Sequence, residues 1–509
     1  MSDATAPVRP DVTRRLGVVW TGGLAASAAF LSLLAILERV GLPASLIPPL
    51  IFGPMLVAFA AMGVAMRSML FAEFDAAGRS VPLQANTVTI ATIAIGLAVA
   101  GDNQLAIGGG AAVGLFASGL FVAPAMRATG AATIAELLGR RHGRIARLAA
   151  AVVTLLCCLP AVVALINIVS LDLARALGVS PAAALRASVA TLLCASVFGG
   201  MRGLTAANLA AGAAIVIAVG VAIILLIWGS PGGSSPRVTA TGGDNALLLA
   251  VTVALGTVAL PPLCQRFASA VSTQEARRAV RWAALLVAFV AFIIPAVSFD
   301  RASLTGGAAV GASLMAAAAI GAMLAAAVAF AFATANTLSN DIHRAFLAPR
   351  AAASRQLILA RMMVVAIVLG ASRLATETGI AAQTLVMWSL ALVAAGLAPV
   401  VLLSTIMRLG GVSVALGMLA GVAVAGMHLL DSPYDPIRGS PPAAAGLAGA
   451  VIGFIVMAAS GLAAPLLGAS WRSRAATPTA AAIAVVAAEN AVDPAASDAA
   501  PATTDSAGS

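Results

Sequence analysis

The sequence predicts an all-α polytopic membrane protein with about 13–14 transmembrane helices. Three observations predict it. Of 509 residues, 61% are apolar and 9% charged, and the mean hydropathy is +1.04, whereas a soluble domain is about half apolar and a quarter charged. Apolar runs of about 20 residues, the length that crosses a bilayer as a helix, recur along the chain. Aromatic residues make up only 4%, with Tyr434 the single tyrosine, which argues against a transmembrane barrel with its aromatic girdles.

Fourteen candidate helices follow in order. The first, 16–38, comes after Arg14 and Arg15; its run of about 22 residues is long for a signal h-region and no clear cleavage site follows, so it is expected to be retained. Next come 47–67 and then 84–101, which carries a row of hydroxyls (Thr87, Thr89, Thr92) and Gly96. The runs 106–127, 146–169, 183–201 and 205–228 follow. The eighth, 245–265, contains Gly256 and Pro261, able to free backbone groups. The remaining six are 280–299, 311–338, 355–376, 384–406, 411–430 and 444–467. Residues 471–509 are rich in Ala, Pro, Thr and Asp and read as a disordered tail.

Charge gives the orientation. All 29 basic residues are arginine. With the N-terminus in the cytoplasm, 22 arginines fall on the cytoplasmic side, clustered at 127–147, 266–281 and 344–361, and 7 on the other. That bias is the positive-inside signature. It explains the net charge of +10 without a nucleic-acid partner and places both termini inside. Four tryptophans, Trp20, Trp228, Trp282 and Trp471, sit at predicted helix ends, as interface anchors do.

The chemistry-bearing residues are sparse. The four cysteines (Cys157, Cys158, Cys194, Cys264) lie inside predicted helices with no CxxC spacing, and the three histidines are far apart, so no metal site is expected. Acidic residues fall at helix ends, in loops or in the tail, and no arginine is expected to be buried mid-membrane. No paired carboxylates, Ser/His/Asp set or phosphate loop appears. An enzyme is therefore not expected, and a transporter is the simplest function for so many helices. Transporters of repeat architecture carry two discontinuous helices at matching places; 84–101 and 245–265 are the candidates.

Several motifs together resemble the sodium:solute symporter family. They are AEFDAAGRSVP (72–82), TIAELLGRRHG (133–143), FGGMRGLTAAN (198–208), LGTVALPPLCQRFASAVSTQEARRA (255–279), LSNDIHR (338–344), and LAPVVLLSTIMRLGG (397–411) followed by GMLAG (417–421). The fourth leans towards the cation/acetate symporter branch. The resemblance implies a five-plus-five inverted-repeat core. Residues 84–228 would form the first repeat and 245–406 the second, after a cytoplasmic N-terminus (1–15) and peripheral helices (16–67), and before C-terminal peripheral helices (411–467). It also implies a secondary active transporter of the cell (inner) membrane. Such a protein would move a small organic solute, such as the short monocarboxylate acetate, by alternating access. The bilayer and the solute are its partners, and Na+ or H+ its possible coupling ion with no other cofactor. Nothing in the sequence sets the oligomeric state. The expected lining is Thr89, Thr92, Gly96, Thr257 and Asn167; Asn336 reads rather as an interhelical hydrogen bond.

The sequence also departs from the family. In an ungapped register from Asn86 to Gly114, the family's first-helix Asp falls on Ile93, and Asp102 is a turn residue. The paired hydroxyls about four turns before the Asp matched by Asp341 fall on Ala325 and Ala326. The ion site would then be left with the carbonyls of Ala91 and Ala94, a poor cage. After Thr205, the aromatic and amide positions are Ala206 and Ala211, although Asn208 remains; in the third core helix the polar position is Leu165, with Asn167 two residues on. Two accounts follow: a transporter with altered ion coupling, or a non-transporting, regulatory paralogue lacking sodium coupling.

Overall fold

The structure, a computed structural model, describes residues 10–228, 245–296, 309–406 and 409–466. The 471–509 tail and the side chains of Trp20, Trp228 and Trp471 lie outside the described residues. The elements in chain order are α1 (Pro10–Val40), α2 (Ile47–Ala65), α3 (Phe71–Ala76), α4 (Leu83–Ala100), α5 (Gln104–Thr129), α6 (Ile134–His142), α7 (Arg144–Leu177), α8 (Pro181–Val197) and α9 (Gly200–Trp228). Then come α10 (Ala246–Val258), α11 (Pro261–Ala268), α12 (Thr273–Ala296), α13 (Ala309–Asn336), a π-helical run Thr337–Leu347, α14 (Ala353–Glu377), α15 (Ala382–Ile406), α16 (Gly411–Leu429) and α17 (Ala444–Leu466). All fourteen expected helices are present, the eighth as the pair α10–α11. Eleven spans among the described residues are long and apolar enough to cross a membrane. The protein is an all-α polytopic membrane protein.

Local chemistry sets the helix ends. Asn103 opens α5 by accepting the Ala106 N–H at 3.0 Å. Thr133 and Glu136 open α6 reciprocally: the Glu136 N–H donates to Thr133 Oγ1 at 3.0 Å and its carboxylate accepts from Ala132 N–H at 2.9 Å. Gly178, at φ +64°, ends α7 in the left-handed region that favours glycine. The carboxylate of Glu38 at the end of α1 accepts the N–H groups of Ala309 and Val310 at 2.8 and 3.2 Å, tying α1 to the start of α13.

The packing repeats itself in inverted form. Pair α4 with α10–α11, α5 with α12, α7 with α13, α8 with α14 and α9 with α15. Then α4 on α12 mirrors α10 on α5, α9 on α13 mirrors α15 on α7, and α9 on α4 mirrors α15 on α10. The α7–α8 contact mirrors α13–α14. This is the five-plus-five core, with α1, α2, α16 and α17 around it. In a membrane the helices associate through close backbone approach of small residues. Gly110 and Gly114 of α5 press on the Ala250 and Ala254 carbonyls of α10, where a Cβ would collide.

Two expectations are corrected. The spans do hold buried charge: Arg266 on α11 and Asp341 in the π-helical run are both 0% exposed. And the run 84–101 is not discontinuous, for α4 is one unbroken α-helix.

Candidate functional site

Only the second of the two matched helices breaks. Pro261 and Pro262 lack N–H groups, and the residue before a proline is driven out of helical geometry; Leu260 accordingly sits extended at φ −65°, ψ 115°. The helix stops at Val258 and restarts at Pro261. The restart offers no spare donors. Its first two residues have none, and the N–H groups of Leu263 and Cys264 both donate to Leu260 O at 3.0 Å. The facing end of α10 leaves carbonyls, so the break presents acceptors.

In α4, Gly96 lies against the Ala322 carbonyl of α13, where a Cβ would collide, and that Cβ would stand 3.1 Å from the Ala326 Cβ. Ala91, Ala94, Ala325 and Ala326 are all buried, at 4% exposure or less. Because α4 is continuous through Ala91 and Ala94, their carbonyls lie within the helical ladder. The seam is packed with helix backbone and methyl groups.

The structure brings some of the sequence-selected residues together and separates others. Thr89, Thr92 and Gly96 share a face of α4, and Thr89 and Thr92 are buried. The Thr89 hydroxyl has no partner among the described residues, whereas Thr87 donates back to Leu83 O at 2.8 Å. Thr257 lies elsewhere, packed on Gly114 of α5. Asn167 joins α7 to α14, donating to Ala375 O at 2.7 Å. Asn336 donates to Asp75 Oδ1 at 2.6 Å, linking α13 to α3.

A cavity of about 630 Å³ opens at the arginine-poor end of the bundle, among α2, α4, α7, α9, α12 and α13. Its wall is apolar (Ile95, Val99, Ile215, Val219, Met323), and the ion pair Asp172–Arg175, at 3.2 Å, stands at its rim. None of Thr89, Thr92, Gly96, Thr257 or Asn167 lines it.

The arginine-rich end is closed. Arg147 of α7 holds the buried Asp341 through Nε at 3.1 Å and Nη2 at 2.9 Å. Arg202 pairs with Glu73 at 2.9 Å. Phe74 packs on Phe332 with ring centroids 5.4 Å apart. Carbonyls 266–271 are tied to the first repeat: Asn86 donates to Arg266 O, Val81 N–H to Ser269 O, and Arg127 to Ala270 O and Val271 O. Burial pushes the Asp75 carboxyl up to about 6, against the lowering effect of its Asn336 hydrogen bond. Backbone and guanidinium contacts hold Glu136 below its usual range, although burial, the largest influence, acts the other way.

Sequence reasoning missed Arg266. The expected run ends at 265, one residue short of Arg266, whereas α11 continues to Ala268.

An inverted five-plus-five bundle with one broken core helix and a cavity at one end defines a polytopic transporter-type fold. No family model and no curated protein matches the chain. Among solved structures, it is similar to a Na+-coupled sialic acid symporter in a substrate-bound outward-open state, with a TM-score of 0.67, 16% identity, and coverage of 82% of this chain and 97% of that one. A manganese transporter mutant from Eremococcus coleocola aligns at a TM-score of 0.39 and 14% identity, over 80% of this chain and 92% of that one. The first likeness shows that the chain shares the fold of that symporter.

Proposed function

We propose that this protein is a secondary transporter that moves a small organic solute, a short monocarboxylate such as acetate, across the cell membrane by alternating access, without sodium bound between α4 and α13. The arginine-rich, closed end is cytoplasmic, and both termini lie there. One observation carries the reading: the 630 Å³ cavity opens among core helices at one end while ion pairs and aromatic packing shut the other. That is one side of an alternating-access cycle. The branch resemblance of 255–279 supports the substrate class. The packed Gly96–Ala322 seam supports the absence of sodium, which needs several hard oxygen ligands. The same unbroken α4 favours the second reading, a non-transporting paralogue, because one of the two hinges is missing.

The test is uptake of labelled acetate, propionate and pyruvate into proteoliposomes, with sodium and proton gradients imposed separately. The expected result is flux that is indifferent to sodium. Sodium-driven accumulation overturns the coupling claim. Absence of flux under every gradient, with folded protein, selects the non-transporting reading.

A further inference from the structure

Arg266 is the largest fully buried side chain among the described residues. Its Nη1 donates to Thr205 Oγ1 of α9 at 2.9 Å, while Nε and Nη2 have no partner among the described residues. No carboxylate pairs with it among the described residues; Asp75, Asp341 and Glu73 are engaged by Asn336, Arg147 and Arg202. A buried guanidinium is expensive unless a negative charge faces it. A water molecule would satisfy the two donors and leave the charge standing.

The surroundings add further free groups. Asn208 lies one turn along α9 from Thr205, on the same face, is 0% exposed, and both atoms of its amide lack partners. Thr89 lies one turn along α4 from Asn86, which holds the Arg266 carbonyl, and its buried hydroxyl is also unpartnered. Helices α4 and α9 pack on each other, and Arg266 links them, its carbonyl held by Asn86 and its guanidinium by Thr205; Thr89 and Asn208 each lie one turn further along their own helix. Of the free groups, the Asn208 and Asn86 amide oxygens accept, and Arg266 Nε and Nη2, the Asn208 amide nitrogen and the Thr89 hydroxyl can donate. The break in α10–α11 has no free donor to compete.

We infer that Arg266, with Asn208 and Thr89, forms a binding site for a small monovalent anion, of carboxylate or halide size, in the seam of α4, α9 and α11. The planar fork of Nε and Nη2 suits a carboxylate, and the amide and hydroxyl above it complete the shell. The inference deepens the transport reading and rests on it for the solute class. In this conformation the seam is shut, Arg266, Asn208 and Thr89 all being 0% exposed.

The test reads binding rather than flux, so it and the transport reading fail separately. The full chain in detergent is melted in sodium gluconate, and again with gluconate replaced by chloride or by acetate at constant ionic strength. The expected result is a melting temperature raised by about 2 °C or more by acetate, chloride or both, with gluconate too large to act. A shift with acetate alone assigns the site to carboxylates, and one with chloride alone to halides. Arg266→Gln is expected to lose the shift. Asn208→Asp, which supplies an internal carboxylate beside the guanidinium, is expected to melt in gluconate as the unmodified protein does in the effective anion, and to gain nothing further. The inference is overturned by an absence of any shift, by an undiminished shift in Arg266→Gln, or, should that variant not fold, by an undiminished shift in Asn208→Asp.

Discussion

The two halves of the core solve one problem differently. In the second repeat the first helix breaks at Pro261–Pro262, and its outer part packs by glycine contacts on α5 and α15. In the first repeat the corresponding helix, α4, runs straight and seals itself to α13 at Gly96 and Ala322. Both carry a glycine in a run that reads as breakable. What separates them is proline: it removes donors and forbids helical geometry before it, whereas glycine merely permits close approach. An inverted repeat can therefore keep its packing symmetry while only one copy keeps a hinge.

The largest effect should come from opening the α4 seam. Gly96→Val places a branched side chain on the Ala322 backbone and should destabilise the protein by about 3 kcal/mol, read from denaturation of the purified protein. A loss below about 1 kcal/mol would mean that the seam is slack and the contrast overstated. Healing the other helix is the complementary change. Pro261→Ala with Pro262→Ala restores two N–H groups, and should slow solute flux by roughly tenfold or more while leaving stability equal or higher. Unchanged flux would remove the hinge role of α11.

A smaller effect concerns the Asp75–Asn336 hydrogen bond between α3 and α13. The Asp75 carboxyl is raised to about 6 from an ordinary 3.8. The folded state thus binds the proton more tightly than the unfolded one, and this group's contribution to stability is fully present below about pH 4 and falls as pH rises towards 6. Melting temperatures of the unmodified protein and Asp75→Asn, compared across that window, should differ in slope with that sign. Parallel curves would place Asp75 in a solvated setting. The smallest effect is Thr89→Val, which removes an unpartnered buried hydroxyl at nearly constant volume. It should change stability by less than about 1 kcal/mol in gluconate. A larger loss would reveal a hydrogen bond that Thr89 makes in another conformation.

The membrane class and the fourteen helices were legible because hydropathy is a local property. The hinge in α10–α11 was legible too, since proline acts on its own neighbours. The continuity of α4 was not: Gly96 is spent on Ala322, a residue 226 positions away, and no local rule says whether a glycine frees a helix or lets another approach. Arg266 was missed for a related reason. Arginine counting assigns residues near span ends to the cytoplasm, and only the packing of α11 on its neighbours buries this one. Of the sequence-selected residues, Thr89 shares the buried polar seam, while Asn167 and Thr257 face other interfaces because helix faces, unlike helix positions, are settled by tertiary packing.

The ties on carbonyls 266–271 have a mechanical consequence. Asn86, Val81 and Arg127 bind that stretch to the first repeat, while Thr252 at the other end of the same span donates to Ala443 O, ahead of α17. Both α10 and α11 pack on α5, yet the two ends of the span have different further partners, with Ala259 and Leu260 as the joint between them. A pair of distance probes across that joint would register any rotation of α10 against α11, and a pair between α11 and α4 should stay at a fixed distance.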